Sequence, residues 1–220
     1  MDTELPETRI RILEAAASIF AEHGFAATTI RMICGRAQVN LAAVNYHFGS
    51  KEALYSETIR YLRRQAYERY PTTCGLSPDA SPQEQLLAFI RSFLLRTAFD
   101  ERTLCFGTLV MREMVEPTSA LDMMIEEGIR SLFGQLVDIV QSLLGDAAEE
   151  ETVLACSRSV MSQCLFYLFS RSVITRMSSE HRFDPSDIGT IADQILSFSL
   201  HALAGLRAEE ERKRLRGEEG

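Results

Sequence analysis

Residues 39–50, with the sequence VNLAAVNYHFGS, carry the clearest signals of local structure in the N-terminal part of the chain. Asn40 is a good N-cap residue, and Gly49 can end a helix in the left-handed conformation that glycine tolerates. Between them, Val44 and Phe48 lie four residues apart and so fall on the same helical face. The stretch therefore predicts a short helix that packs on the rest of the molecule through those two side chains.

Two further helices are predicted upstream of this stretch. The first covers residues 7–23 and ends at Gly24, with Phe25 as the usual apolar residue after the break. The second begins after Thr28, whose hydroxyl can cap it, and is followed by a three-residue turn at 38–40. Two short helices joined by such a turn form a helix-turn-helix, in which the second helix enters the major groove of DNA.

The outward face of the predicted third helix carries side chains that suit DNA. Small alanines let the backbone approach base edges, alanine and leucine can contact a thymine methyl group, and asparagine can bond an adenine edge. Hydroxyl, imidazole and ammonium groups suit phosphates, as does a helix start, where free N–H groups and the dipole favour an anion. The candidate DNA-binding residues are Thr28, Thr29, Arg31, Asn40, Leu41, Ala42, Ala43, Asn45, Tyr46, His47 and Lys51. The outline alone leaves open that this bundle is purely structural.

The net charge of the chain is −8, which taken alone argues against a nucleic-acid partner, but the charge is unevenly distributed. Residues 1–70 carry nine Lys and Arg against eight Asp and Glu, whereas residues 71–220 carry fourteen against twenty-three. The N-terminal segment therefore has a net charge of +1 and the remainder one of −9. Such an asymmetry suggests different partners for the two parts.

The N-terminal part resembles the DNA-binding domain of the TetR family of transcriptional regulators. The resemblance is carried by RIRILEAA (9–16), FAEHGF (20–25), TTIRMI (28–33) and VNLAAVNYHFGSKEAL (39–54). A shorter run, MREMVEPT (111–118), is similar to a subgroup close to the CecR/YbiH-type regulators. The family commonly has glycine where Gln38 stands. A non-glycine residue there must take a positive φ or reshape the turn, at a cost of about 1 kcal/mol.

Helical periodicity runs through nearly the whole chain, so the sequence predicts an all-α fold. The breaker stretch PTTCGLSPDASP at 71–82 separates a helix-turn-helix domain (1–50) and a connecting helix (51–70) from the rest. A helical regulatory and dimerisation domain is predicted over 82–207, with helices at 82–99, 103–115, 119–144, 150–177 and 185–207. The charged stretch at 208–220 is expected to be a fraying tail.

The last two predicted helices are apolar on more than one side. A helix of this kind needs a partner beyond its own domain, and the TetR resemblance implies that the two helices pair with their mates in a homodimer. The candidate interface residues are Val160, Cys164, Tyr167, Ile191, Ile195, Phe198 and Ala202. The alternative is that both are central helices of a monomer.

The resemblance also implies a small-molecule ligand. Adaptable apolar side chains of the middle helices form a candidate cavity lining, although core packing is the commoner role of any one of them; they are Phe89, Phe93, Phe106, Met111, Met114, Met124 and Phe133. Three charged residues lie in an otherwise apolar helix, namely Arg112, Glu113 and Glu116. They form either a buried ion pair that orients a ligand or, as we expect, a solvated stripe.

Catalytic, metal-binding and membrane functions are not indicated. The five cysteines are odd in number and widely spaced, so neither a disulfide framework nor a metal site is expected, and no cofactor is predicted. No HExxH, GxSxG, P-loop or GxGxxG motif occurs, so we expect no enzyme. The longest apolar run, 164–169, is far below the roughly 18 residues of a membrane span. The first residues lack the features of a signal peptide, so we expect a cytoplasmic protein.

Sequence and resemblance together predict a homodimeric repressor that binds an inverted-repeat operator in double-stranded DNA and is released by a small-molecule inducer. A ligand can act in this way only through a difference in its affinity for two conformations. The alternative is a helical interaction module without sequence-specific DNA binding. The acidic C-terminal part, the departure at Gln38 and the helix-weakening Gly35 within the second helix would fit it.

Overall fold

The computed structural model describes residues 7–77, 79–177 and 186–217, and the described residues form helices and turns without a strand. This confirms the all-α prediction. The helices in chain order are α1 (Glu7–Ala27), α2 (Ile30–Ala37), α3 (Leu41–Phe48), α4 (Lys51–Arg69), α5 (Pro82–Leu94), α6 (Leu104–Val115), α7 (Ser119–Met124), α8 (Arg130–Leu144), α9 (Glu150–Met177) and α10 (Ile188–Gly217). π-Helical turns follow α5 at Leu95–Phe99 and α7 at Ile125–Ile129.

The helices group into two compact units. Unit 1 comprises the residues up to Arg69 together with Glu101–Glu126, and unit 2 comprises Tyr70–Asp100 together with the residues from Glu127 onward. The sequence-based division placed 101–126 in the regulatory domain. The structure instead groups α6 and α7 with the N-terminal helices, because α6 packs against α1 and α4 and α7 packs against α4.

Unit 1 is built around α1, whose apolar stripe is covered by α2, α4 and α6. Ile12, Leu13 and Phe20 of α1 are fully buried, as are Ile33 of α2 and Leu54 of α4. Burying a side chain of this size contributes about 1.5–3 kcal/mol. The short helices α2 and α3 are therefore held by tertiary packing, since isolated helices of eight residues are not stable in water.

Unit 2 is centred on α5, which packs against α8, α9 and α10. Its core includes Leu86, Phe89 and Ile90 of α5 together with Leu136 and Val140 of α8, all nearly inaccessible to solvent. The start of α5 is fixed by a capping box. In it, the Ser81 hydroxyl accepts from the Glu84 N–H, and the Glu84 carboxylate accepts from the Ser81 N–H.

The C-terminal helix is longer than the sequence predicted. α10 continues to Gly217, so the predicted helix end at residue 207 is wrong, whereas the fraying of the charged tail stays a prediction. Residues 218–220 and the predicted helix start at 185 lie outside the described residues. The stretch EEERKR, residues 209–214, consists of charged residues alone and so lacks a helical apolar stripe, yet glutamate, lysine and arginine are all good helix formers.

α9 carries four large apolar side chains that are exposed to solvent, namely Phe166, Phe169, Val173 and Met177. By length and composition α9 resembles a membrane-crossing helix, and only 28% of its apolar stretch is buried within the chain. Among the described residues it is the one helix that meets this description. These properties are shared by membrane helices and by soluble helices that a partner protein covers.

Candidate nucleic-acid interface

The turn between α2 and α3 has the geometry that its sequence requires. Gln38 has φ 54° and ψ 46°, in the left-handed region, as the substitution for glycine predicts. The N–H of Gln38 and that of Val39 both donate to the Cys34 carbonyl oxygen, which closes the end of α2. Asn40 then caps α3 as predicted, because its Oδ1 accepts from the Ala43 N–H at 2.8 Å.

α3 has one buried and one exposed side. Val44 and Phe48 are 2% and 8% exposed and fasten the helix to unit 1. On the other side Tyr46 is 86% and Leu41 51% exposed. Ala42 and Asn45 are exposed beside them, and Ala43 and His47 are half-buried. The side chains proposed to face base edges are thus accessible to an outside molecule.

The structure corrects the role of Thr28. Its side chain is 1% exposed, and its hydroxyl donates to the carbonyl oxygen of Gly24 at 2.7 Å. Gly24, with φ 76°, breaks the first helix where the sequence predicted its end, and one further turn follows it. The cap of α2 is Thr29, whose exposed hydroxyl accepts from the Met32 N–H. Thr28 therefore closes the α1–α2 junction and is not accessible to a phosphate.

Lys51 is partly engaged inside unit 1. Its Nζ donates to the carbonyl oxygen of Thr28 at 2.8 Å and lies 3.4 Å from that of Ala26. The same ammonium is 4.4 Å from the centroid of the Phe25 ring, a cation–π geometry. Because an ammonium has three donors, a phosphate contact by Lys51 stays a prediction. Arg31, on the exposed side of α2, likewise remains a candidate for phosphate.

Two arginines of α1 contact the ends of the α2–α3 segment, and sequence reasoning assigned them no role. Arg11 Nη2 donates to the carbonyl oxygens of Ala37 at 2.7 Å and Gln38 at 3.2 Å. Arg9 lies over the ring of Phe48, with its guanidinium carbon 5.2 Å from the ring centroid, and pairs with Glu57 of α4. These contacts span 26 to 48 residues in sequence, so no local pattern reveals them.

A buried polar network joins α4, α6 and α7 in unit 1. Glu113 is 1% exposed, and its carboxylate accepts from the Tyr55 hydroxyl at 2.8 Å and from the Thr118 N–H at 2.9 Å. Burial and this hydrogen bond raise the pKa of Tyr55 far above its ordinary value, so the hydroxyl stays protonated. The expected solvated stripe is therefore wrong for Glu113, although Glu116 is exposed as expected.

Arg112, the neighbour of Glu113, binds the end of the first segment of α1. Its Nη2 donates to the carbonyl oxygens of Ala21 and Glu22, each at 3.1 Å. A Cβ atom at Gly24 would lie 2.8 Å from Arg112 Nη1, so the glycine gives both a positive φ and the space that this guanidinium occupies. In this arrangement Arg112 is bonded to α1 and Glu113 to Tyr55 of α4 and to Thr118.

The structure also corrects the candidate dimer residues in unit 2. Val160, Cys164, Ile191 and Ile195 are at most 9% exposed and belong to the core of their own chain. Phe198, at 68%, and Ala202 are exposed as an interface requires, and Tyr167 is half-buried. The exposed apolar side chains of α9 are instead Phe166, Phe169, Val173 and Met177. Together with Phe198 they form what we call the α9–α10 face.

The candidate ligand residues are divided between the two units. Phe106, Met111, Met114 and Met124 belong to unit 1, and Phe89, Phe93 and Phe133 to unit 2. Met114 is 41% exposed, whereas Phe89, Phe93, Phe106 and Met124 are buried in the cores. Phe89 lines a cleft of about 410 Å³ within unit 2, which the sequence did not predict; its other lining residues include Leu76, Gln85, Gln135, Asp138 and Ile139.

The two short helices, their strained turn and the exposed outer side of α3 define a helix-turn-helix DNA-binding protein. A family model for bacterial regulatory proteins of the tetR family matches residues 12–58. A second model, for the C-terminal domain of the HTH-type transcriptional dual regulator CecR, matches residues 82–203, more than half of the chain. The chain therefore belongs to the TetR family of transcriptional regulators and has a C-terminal domain of the CecR type.

Curated relatives and solved structures agree with this assignment. The dual regulator CecR of Shigella flexneri is 24% identical over 186 residues, which cover 81% of this chain and 83% of the relative. The transcriptional repressor NicS of Pseudomonas putida is 26% identical over 210 residues, 91% and 92% of the two chains. A TetR-like regulator from Rhodococcus sp. RHA1 superposes with a TM-score of 0.69 at 18% identity, covering 92% of this chain and 100% of the other.

The relatives are transcriptional regulators and not enzymes. Regulators of this family bind DNA, and they usually form dimers and bind small molecules. No group of three or more His, Cys, Asp or Glu side chains that could hold a metal ion is found within the described part of the chain.

Proposed function

We propose that the chain is a homodimeric cytoplasmic repressor that binds an inverted-repeat operator through α3 and leaves it when a small molecule binds unit 2. The observation that carries the proposal is the exposed outer side of α3, where Leu41, Ala42, Asn45 and Tyr46 are accessible together. Two copies related by two-fold symmetry would present two such helices to half-sites one helical turn, or a multiple of it, apart.

The chemistry of α3 divides its residues into two roles. Asn45 and the alanines suit base edges, because asparagine can bond adenine in a bidentate way and a methyl group can contact thymine. Tyr46, Thr29 and Arg31 suit phosphates, because their hydroxyl and guanidinium groups donate hydrogen bonds to anionic oxygens. The acidic remainder of the chain, with a net charge of −9 over 71–220, would be repelled by DNA and so leaves the N-terminal segment, residues 1–70, as the binding surface.

The α9–α10 face supports the homodimer. Its phenylalanines at 166, 169 and 198 are 55%, 41% and 68% exposed, and a groove of about 400 Å³ lies between Phe166 and Phe198. Contiguous exposed apolar surface of this kind marks an interaction site. A second copy of the same face is the partner that the two-fold symmetry of an operator calls for.

The cleft in unit 2 supports the inducer. Its volume of about 410 Å³ falls within the usual range for small-molecule sites, about 300–1,000 Å³. Leu76, Phe89 and Ile139 give it apolar walls, and Gln85 and Gln135 offer amide groups to a polar ligand. The dimer leaves the operator if the ligand binds more tightly to a conformation in which the recognition helices are not at the operator spacing than to the DNA-bound conformation.

Selection of bound sequences from a random duplex pool tests the operator. We expect an inverted repeat, and binding that weakens steeply with salt because phosphate contacts release counterions. In the selected duplex, Asn45→Ala should change base preference at one position of each half-site, whereas Tyr46→Phe should weaken binding to all sequences alike. Equal affinity for every duplex would contradict the proposal.

Sedimentation of a matched pair of variants tests the dimer. Phe198→Glu places a charge on the α9–α10 face and should yield monomers that bind single half-sites. Val115→Glu is the control, since Val115 is an apolar residue of α6 that is 66% exposed outside that face. A Phe198→Glu protein that stays dimeric while the wild type is dimeric would show that the copies associate elsewhere.

A further inference from the structure

Arg9 and Arg11 contact the two ends of the segment that carries the recognition helix. Arg11 holds the carbonyl oxygens of Ala37 and Gln38, where α2 ends and the turn begins. Arg9 covers the ring of Phe48, the last residue of α3. We propose that this arginine pair orients α3 and thereby determines how well the protein discriminates between DNA sequences, without itself touching DNA. The inference rests on the proposed reading of DNA by α3.

Arg11 acts where the backbone is strained. Gln38 is held at φ 54°, a conformation that costs a residue with a side chain about 1 kcal/mol. The carbonyl groups at the end of α2 also carry the negative end of the helix dipole, where a cation is favoured. By donating to Ala37 and Gln38 together, Arg11 fixes the direction in which the chain enters α3.

Arg9 acts at the opposite end. Its guanidinium packs on Phe48 at 5.2 Å and pairs with Glu57, whose other oxygen accepts from Arg60 at 2.9 Å. The end of α3 is therefore linked through Arg9 to both α1 and α4. The Arg9 side chain is 20% exposed, and its charge is already matched by a carboxylate.

A small rotation of α3 has unequal effects on the two kinds of DNA contact. A helix of eight residues is about 12 Å long, so a tilt of about 5° moves its far end by about 1 Å. Hydrogen bonds to base edges tolerate only about 2.7–3.2 Å between heavy atoms. The attraction between charged groups and phosphates varies slowly over a Debye length of about 8–10 Å. Loss of orientation should therefore lower discrimination more than it lowers binding to arbitrary DNA.

The test compares a selected duplex with a scrambled duplex of the same composition, using the full-length protein over a series of salt concentrations. Arg11→Met should reduce the ratio of the two affinities by about tenfold, with the salt slope unchanged and the affinity for scrambled DNA lowered no more than by Arg64→Met, which removes the same charge. Arg64→Met, which removes one exposed positive charge from α4, is the matched control and should leave the ratio unchanged. Thermal unfolding of each variant checks that unit 1 is folded.

Glu57→Gln separates orientation from charge. The substitution removes a negative charge, so long-range electrostatics alone predicts tighter binding to both duplexes. Loss of the Arg9 partner instead predicts a lower affinity ratio, as for Arg11→Met. The proposal is overturned if both variants keep the wild-type ratio, or if Arg11→Met weakens both duplexes equally and lowers the salt slope by about 0.9, the value for one lost phosphate contact. A wild type that shows no discrimination would refute the proposed function, and the inference with it.

Discussion

Replacing Tyr55 with phenylalanine removes one hydroxyl from the interior of unit 1 and leaves the ring. The ring packs edge-on against Phe20, with centroids 4.7 Å apart, and lies 5.0 Å from the ring of Phe25, and phenylalanine keeps both contacts. What is lost is the hydrogen bond to Glu113, whose carboxylate is almost inaccessible to solvent. The substitution therefore measures the contribution of this hydrogen bond with little change in packing.

The expected loss is about 2 kcal/mol of unfolding free energy. Hydrogen bonds to charged groups contribute about 1.5–3 kcal/mol, and a buried acceptor that loses its donor cannot turn to water. The value lies toward the lower end because Glu113 keeps the Thr118 N–H at 2.9 Å and the Thr118 hydroxyl at 3.0 Å. Urea unfolding at one protein concentration measures this loss of unfolding free energy. Far-UV circular dichroism follows the unfolding, because the chain has no tryptophan whose fluorescence could report it.

Tyr61→Phe is the matched control on the same helix. The Tyr61 hydroxyl lies 3.4 Å from a carboxylate oxygen of Glu14, a residue exposed to water, so its removal should cost less than about 0.5 kcal/mol. In a double-mutant cycle, Tyr55→Phe and Glu113→Gln should show a coupling of at least about 1 kcal/mol. Equal losses of unfolding free energy for Tyr55→Phe and Tyr61→Phe would refute the reasoning. Burial of the acceptor carboxylate would then have no effect on the contribution of the hydrogen bond.

Three further predictions concern single positions. Gln38→Gly should keep or raise stability, by up to about 1 kcal/mol, because it relieves the left-handed strain but also increases the entropy of the unfolded chain. Gln38→Ala should bring no gain, and thermal unfolding measures both variants. Asn40→Ala should cost about 1 kcal/mol through loss of the α3 cap, and Asn40→Ser should restore most of it. Cys164 is buried, and burial raises the pKa of its thiol to about 12. In peptide mapping after iodoacetamide treatment it should stay unmodified in the folded protein, while Cys74, whose pKa is also raised but whose side chain is exposed, reacts.

The parts of the fold that follow from local chemistry could be predicted from the sequence. The cap at Asn40, the break at Gly24 and the strained turn at Gln38 each depend on residues within one helical turn of each other, and all three appear in the structure. The choice between Thr28 and Thr29 as the cap of α2 could not be made in this way. Either hydroxyl could serve, and the hydrogen bond from Thr28 to Gly24 decides between them.

The limits of periodicity explain the remaining corrections. In α9, apolar residues lie on all sides of the helix, so the hydrophobic periodicity does not show which side packs against the helix's own chain. In the structure Val160 and Cys164 face the core and Phe166 faces the solvent. The placement of α6 in unit 1 depends on contacts such as that between Tyr55 and Glu113, which lie 58 residues apart. A charged residue in an apolar helix is ordinarily solvated, and only the partner helix reveals that Glu113 is buried.

α1 connects the recognition segment of unit 1 with α6. Its N-terminal turns hold the recognition segment through Arg9 and Arg11, and the end of its first segment is held by Arg112 of α6. α4 is joined to α6 in turn by the Glu113 network. α6 is therefore hydrogen-bonded to both α1 and α4, the two helices that support α3. A displacement of α6 would move these helices and, through them, the recognition helix.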